Sequence, residues 1–532
     1  MAVYKIAVTT GDRLNAETWD NVYVTLIGAE GQSERTLLDN WGHDLGRGSS
    51  GCYSVKTPKS LGELLLLRVE KDPFFFASEH DEWFCTKIVV TTPKGEALLF
   101  PCHRWVSRGG DFELRGGPAR KIFEDTLPVL LEHRKKELEQ RKQAYHELEL
   151  TAKGLKDSTE NWKDFEELKS LFRGKTSAMY DYVADHWQDD DFYGFQFLNG
   201  VNPNMIQLCS QIPPNFQVTD AMVKPFLQEG TSLEKEMKNG NIFFCDYKTL
   251  DGIQTRVYDG EQLVVATGFC LLYMNPENKL KPIAIQLLQQ PAKENNIFLP
   301  SDTETDWLLA KMFIKNADSI HHQSINHLLN THFVVHGCAL ATLRNLPLIH
   351  PLYKLLIPHF RQTLHVHQSE TTYSSLCLPE NIVARGLMSV PNFHYRDDGL
   401  ELWGHIQSFA KAMVDRYYPS NDDVIRDSEL QNWIKEIFIN TFLGNVHSEQ
   451  LAKFITMVIF RASAQHAAVD YGQVPLGSYP SEHFGEPAPL GIIKLFQERL
   501  ASLGEKIAKR NAELPVPYPY LHPAQMENSI SV

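Results

Sequence analysis

Over residues 1 to about 115, apolar and polar positions alternate in short runs: VYKIAVTT, NVYVTLIGA, GELLLLRVEK, KIVVTTPKG and EALLFPCHRWV, separated by Gly, Pro, Asp and Asn. A period of two between turn residues predicts strands, and many short strands in one stretch predict an antiparallel β-sandwich. After Gly117 the pattern changes. ARKIFEDTLPVLLEHRKKELEQRKQAYHELEL is rich in strong helix formers with mixed charge. Helical stretches follow in NWKDFEELKSLF, TDWLLAKMFIKNADSIHHQSINHLLNTHFVVHGCALATLRNLP, DGLELWGHIQSFAKAMVDRYY, SELQNWIKEIFINTFLG, EQLAKFITMVIFRASAQHAAVDYG and PLGIIKLFQERLASLGEKIAKRNAEL. The pattern therefore predicts a multidomain α and β chain, with a sandwich over 1–116 and a larger, mainly helical region over 117–532.

Composition narrows the class. The chain has 532 residues, 43% hydrophobic and 22% charged, which suits globular domains with a large core. No stretch approaches the ~20 apolar residues of a membrane span. The N-terminus, MAVYKIAVTTGD, has no basic region followed by an apolar run, so secretion is not expected. Eight scattered cysteines without a CxxC pair read as reduced thiols in a cytoplasmic protein. A net charge of -14 argues against nucleic acid as a partner. Phe74, Phe75, Phe76, Trp83, Phe84 and Trp105 cluster near turn signals. They pack the sandwich, or some of them dip into the interfacial layer of a bilayer.

The helical region carries the candidate chemistry. HQSINHLLNTH places His322, His327 and His332 five residues apart, a step that turns side chains by about 140° on an α-helix. A widened π-type turn would instead bring His327 and His332 into line, and such turns gather at functional sites. His466 and Asp470 in SAQHAAVD stand four apart, on one helical face. Two helices would then present three imidazoles and a carboxylate to one point. Neutral imidazole suits Zn, Cu, Fe and Ni, and imidazole with oxygen ligands and open positions suits non-haem iron. There is no HExxH of the zinc-peptidase kind. A packed, hydrogen-bonded core role is the alternative for each histidine.

The whole string, His322-x4-His327-x4-His332-x17-His350-x8-His359, resembles the histidine signature of the lipoxygenase family. WLLAK at 307–311, FQFLNGVNP at 195–203, YRDDGLELW at 395–403, SAQHAAV at 463–469 and the final ENSISV are similar too. VYKIAVTTG, GELLLLRV and NFHYRDDGL are closest in wording to the epidermal-type animal members. The resemblance implies an N-terminal PLAT (C2-like) β-sandwich and a helical non-haem iron domain. It makes His327, His332, His466 and the terminal carboxylate of Val532 iron ligands, and gives His322, His350 and His359 structural roles. Asp470 falls where the family commonly has Asn, His or Ser. It binds the metal, or it is held off by Gln323 or Gln473, which match amides beside the ligands.

The implied activity is insertion of O2 into a polyunsaturated fatty acid of the arachidonate or linoleate class, after hydrogen loss from a bis-allylic carbon. Ser319, Leu328 and Phe333 match pocket positions, with Ser319 leaving the channel wider than the family's usual Phe. The alternatives are a hydroperoxide isomerase making epoxyalcohols, and a non-catalytic membrane-binding homologue. The sandwich would bring the enzyme reversibly to membranes. Of the family's calcium loop, here DNWGHDLGRG, only Asp44 remains as a candidate ligand, too few oxygens for a strong Ca2+ site. Against the family pattern the chain is short near Leu150–Gly154, Gln368–Thr371, Asn445–Gln450 and after Gln473. Either segments are deleted there or they are missing from this sequence, and the second is expected.

Overall fold

A computed structural model describes residues 1–12, 16–40, 44–74, 81–108, 111–146, 182–183, 186–255, 257–258, 261–360, 373–440, 448–466, 476–477, 479, 484–526 and 528–529. The alternating N-terminal runs form strands β1 (Ala2–Thr10), β2 (Asn21–Gly28), β3 (Gly31–Gln32), β4 (Thr36–Leu37), β5 (Ser50–Thr57), β6 (Leu64–Asp72), β7 (Trp83–Thr91), β8 (Ala97–Val106) and β9 (Asp111–Arg115). Sheets β5-β1-β7-β8 and β3-β2-β6-β9, with β4 on β2, make the sandwich, and every pairing is antiparallel. In β1 the inward set Tyr4, Ile6 and Val8 is buried. It packs with Val24, Leu67, Trp83 and Phe100. Period-two alternation is thus the cause of the single core between the sheets.

The leucine run of β6 departs from alternation for a reason. Leu64 and Leu67 belong to the sandwich core, while Leu65 and Leu66 meet Leu127 and Leu130 outside it. The outer face of the sheet is covered by the start of helix Pro128–His146. Beside this contact Arg115 of β9 pairs with Asp125, and Arg134 of the helix reaches both Asp125 (3.3 Å) and Glu429 (2.8 Å). Buried charges of this kind need pairing, and a continuous chain from Arg115 to Glu429 links them here, with Glu429 Oε1 left outside it.

The candidate loop aromatics separate into two groups. Trp83 is fully buried and its indole N–H donates to Thr10 Oγ1 at 3.0 Å, and Phe84 is buried as well. Phe74 and Trp105 are exposed, as is Trp19. Phe75 and Phe76 lie outside the described residues.

The second region is mainly helical, with His394–Tyr417 packed between Ser448–Phe460 and Pro487–Asn511. It also contains a five-stranded antiparallel sheet: Gln207–Leu208, Ile242–Asp246, Phe269–Met274, Leu280–Gln286 and Ile297–Phe298. The helical expectation does not include this sheet. Strand Phe269–Met274 is buried at all six positions, so it carries no alternation for a period-two reading to find. Among the described residues no helix is long and apolar enough to cross a membrane.

Candidate metal centre

Helix Glu304–His321 starts at Thr303, whose hydroxyl caps Asp306 N–H, and runs without a break into a π-helix over His322–Phe333. The widened turn is marked by Thr331, whose hydroxyl donates to Asn326 O five residues back, at 2.8 Å. Its outer side is pinned by a buried amide chain. Asn326 Nδ2 donates to Asn202 Oδ1 at 2.7 Å, and Asn202 Nδ2 donates to Asp318 Oδ1 at 2.9 Å. A second π-helix, Arg461–Gln465, follows Ser448–Phe460 and ends at His466. Arg461 donates to Leu376 O, and Tyr395 OH donates to Gln465 Oε1 at 2.8 Å. The five-residue histidine spacing points to the first of these turns. Nothing in the sequence marks the second.

These two segments bring His327, His332 and His466 together, with one nitrogen of each within 4.8 Å of the others. The rings stand at 75° between His327 and His332 and at 82° between His332 and His466. His327 Nδ1 lies 2.9 Å from Gln323 Oε1. An amide oxygen only accepts, so the proton sits on Nδ1 and Nε2 keeps a lone pair. That Nε2 lies 3.0 Å from His332 Nε2. Two nitrogens held at right angles about 2.1 Å from one ion are about 3.0 Å apart. Burial, then the neighbouring His327, push the His332 pKa down to about 4. Burial, His332 and His327 push His466 down to about 3. Both are therefore neutral at pH 7, with lone pairs to offer. Buried His466 Nδ1 has no hydrogen-bond partner among the described residues. The donor set fits a divalent transition metal.

The other histidines of the string are elsewhere. His322 is buried and stacks parallel on His327 with ring centroids 6.0 Å apart, its pKa pushed down to about 4 by burial first and by His327 next. His350 begins the short helix Pro351–Leu356, its Nδ1 accepting from Leu352 N–H at 3.1 Å. Its Nε2 faces Asp427 Oδ2 at 3.2 Å. With Glu429 these form a second compact group of metal-ligand types. It differs from the first: because Nδ1 accepts, Nε2 carries the proton, and no lone pair is left for a metal.

The remaining candidates fall as follows. Gln323 is joined to His327. Asp470, Gln473 and Val532 lie outside the described residues. Ser319 is exposed on the Glu304–His321 helix, Leu328 is 39% exposed beside His327, and Phe333 is half-buried. Asp44 accepts from Asn40 N–H, and among the described residues it belongs to no cluster of three or more metal-ligand types. Sequence reasoning missed Tyr395, Asn202 and Asn326, which shape the two π-segments. The first two lie within YRDDGLELW and FQFLNGVNP, so a signal was present without a role attached.

Comparison with known proteins accords with this geometry. The family model described as Lipoxygenase matches residues 121–382 and 375–484, and the PLAT/LH2 domain model matches residues 4–114. Hydroperoxide isomerase ALOXE3 of Homo sapiens is 35% identical, with all of both chains covered. Polyunsaturated fatty acid lipoxygenase ALOX8 of Mus musculus is 35% identical, and the 12R-type arachidonate 12-lipoxygenase of Mus musculus 31%, again over both whole chains. A calcium-dependent 11R-lipoxygenase superposes with a TM-score of 0.88 at 27% identity, and a lipoxygenase solved in complex with arachidonate with 0.87 at 28%, each over both chains completely. The alignment with ALOXE3 runs over 712 positions against 532 residues here, so at least 180 positions have no counterpart in this chain. Sandwich, helical domain and paired π-segments together carry one conclusion: the chain belongs to the lipoxygenase family, iron-dependent dioxygenases of polyunsaturated fatty acids.

Proposed function

We propose that this chain dioxygenates a polyunsaturated fatty acid of the arachidonate or linoleate class at an iron held by His327, His332 and His466. The observation that carries the reading is the convergence of three imidazoles from two π-segments, with Gln323 holding the His327 proton away from the centre. The carboxylate of Val532 and the side chain of Asp470 are the proposed oxygen ligands, with Gln473 beside Asp470 to orient it or hold it off. Iron supplies the one-electron redox change that hydrogen removal from a bis-allylic methylene needs. The chain's own residues do the positioning. Gln323 fixes one tautomer, Thr331 and Asn326 fix the wide turn, and Leu328, Phe333 and the small Ser319 offer an apolar, unobstructed approach for an acyl chain.

The proposed domain division is 1–116 and 117–532. The sandwich would reach a lipid surface through Trp19, Phe74 and Trp105, whose rings are exposed. This gives a cytoplasmic protein with reversible membrane association. The carboxylate of Asp44 is engaged by Asn40, and we assign no calcium there. A second reading, isomerisation of a fatty-acid hydroperoxide to an epoxyalcohol, is favoured by the similarity to ALOXE3. Metal analysis followed by product analysis separates them. Near-stoichiometric iron with chiral hydroperoxide from arachidonate supports the dioxygenase. Epoxyalcohol from added hydroperoxide without O2 supports the isomerase, and a chain that takes up no iron overturns both.

A further inference from the structure

The stretch FQFLNGVNP at 195–203, with Asn204 directly after it, carries asparagines at 199, 202 and 204. Each meets a different part of the helical domain. Asn199 ends the helix Asp190–Asn199, and its Oδ1 accepts from His394 N–H at 2.8 Å, at the start of the helix that bears Tyr395. Asn202 is fully buried. Its Oδ1 accepts from Asn326 Nδ2 in the first π-segment, and its Nδ2 donates to Asp318 Oδ1 on the helix leading into that segment. Asn204 serves the second. Its Oδ1 lies 3.4 Å from Tyr395 OH, which donates to Gln465 Oε1 at 2.8 Å. Asn202 and Asn204, two positions apart, thus join the two π-segments, one directly and one through Tyr395.

The connection is itself held. Helix Asp190–Asn199 lies so close to strand Leu280–Gln286 that a Cβ on Gly194 would come within 1.8 Å of Leu280 O, so the approach requires glycine. Arg385 Nη1 donates to Pro203 O at 2.8 Å and to Ile206 O at 2.9 Å, on either side of Asn204 in the chain. Leu208 N–H donates back to Arg385 O at 2.9 Å. Asn202, Asp318, Asn326, Tyr395 and Gln465 are all buried. Buried polar groups that satisfy one another have no water to exchange with, so their arrangement is fixed rather than averaged. Tyr395 has one hydroxyl proton, and the 2.8 Å contact with Gln465 holds it. The contact with Asn204 is the weaker of the two.

We propose that residues 199–206 form a strut that sets the two π-segments relative to one another, with Asn202 and Tyr395 as positioning residues for the distance from His466 to His327 and His332. The proposal rests on the reading of these three histidines as the iron site. A π-turn aligns side chains within its own helix, but nothing in that helix can place them against another. Metal–nitrogen distances are held to within about 0.2 Å. The strut supplies the missing coordinate from a third element, the end of helix Asp190–Asn199.

The test compares Asn202→Ala, Tyr395→Phe and the double variant with the unaltered full chain. Amide hydrogen exchange is read with and without iron. Asn202 bonds to the first π-segment and Tyr395 to the second, so the informative signal is the one that crosses. Asn202→Ala is expected to speed exchange about tenfold at 461–465 as well as at 322–333, and Tyr395→Phe to speed it at 322–333 as well as at 461–465. Iron affinity by metal competition and the ferric electron paramagnetic resonance signature are read next. Each single variant is expected to lower affinity about 10- to 100-fold and to alter the signature. The double variant should match the larger single effect and not the product of the two, because a strut broken at one end has little coupling left to lose at the other. Exchange that rises only in the segment each residue touches, or a double variant equal to the product, overturns the strut. Crossed exchange with unaltered iron affinity and signature overturns the positioning role. If Asn202→Ala does not fold, Tyr395→Phe decides by exchange at 322–333 and by the signature. If the unaltered chain takes up no iron, the three-histidine reading fails and the positioning role with it, while crossed exchange in the metal-free chain still marks the strut.

Discussion

Two compact histidine groups among the described residues, one partly and one fully buried, are similar in size and opposite in chemistry. His327, His332 and His466 bring one nitrogen each to a common point, and Gln323 fixes the His327 proton on the outer nitrogen. His350, Asp427 and Glu429 are as close together, yet donors fill His350 Nδ1 and Asp427, and Glu429 Oε1 alone of the group's carboxylate oxygens has no hydrogen-bond partner among the described residues. Leu352 N–H fills His350 Nδ1, and Tyr418 OH and the N–H groups of Glu429 and Leu430 fill Asp427. Burial works to raise the Asp427 pKa. The donors of His350, Tyr418 and Leu430 outweigh it and bring it down to about 2. Proximity of ligand types does not make a metal site. Converging lone pairs that no protein donor uses are what distinguish one.

The sharpest break of this contrast is His332→Ala, which removes one of the converging nitrogens. Iron per chain is expected to fall from about one to background and hydroperoxide formation with it, measured by metal analysis and product chromatography. His350→Leu is the mirror experiment. Chemical denaturation should show a loss of about 3 kcal/mol, because Asp427 loses a donor in a buried site. The variant that folds should keep its iron. Should His350→Leu shed metal at unchanged stability, the division between the two groups would be wrong.

Gln323→Leu probes the proton that keeps the His327 lone pair inward. An apparent iron affinity lowered about 10- to 100-fold is expected in a metal-competition titration, with little change in melting temperature. The mildest test is pH. The pKa values of His332 and His466 lie below the ordinary 6.5, so unfolded, metal-free chain binds protons that the native site does not. Their contribution is full above pH 6.5 and declines as pH falls toward 4. Asp427, with its pKa near 2, keeps its contribution above about pH 4 and loses it only below that. Acidification from pH 7 to 5 should therefore release iron, about tenfold in apparent affinity, while helical circular dichroism persists.

Much of this was legible without coordinates. Alternation marked the sandwich because one face of each strand is wet, and it failed at Phe269–Met274 because that strand is buried on both faces. Five-residue spacing marked the His322–Phe333 π-helix, since only a widened turn aligns His327 with His332. The Arg461–Gln465 π-helix left no such trace. It depends on Leu376 and Tyr395, which lie 85 and 70 residues away in sequence from Arg461 and Gln465. Trp83 and Trp105 looked alike as letters near turns, and only packing separated the buried ring from the exposed one.

The sequence by itself determined the two-part architecture, the helices and the residue types able to hold iron, because periodicity, capping and side-chain chemistry are local properties. Tertiary structure decided which histidines meet. His327 and His332 reach His466 through elements more than a hundred residues apart, and His350 and His359, in the same string, are turned to other work by Asp427 and Asn528. The physical reason is that a lone pair becomes a ligand only if no nearer donor claims it, and which donors are near is set by the fold.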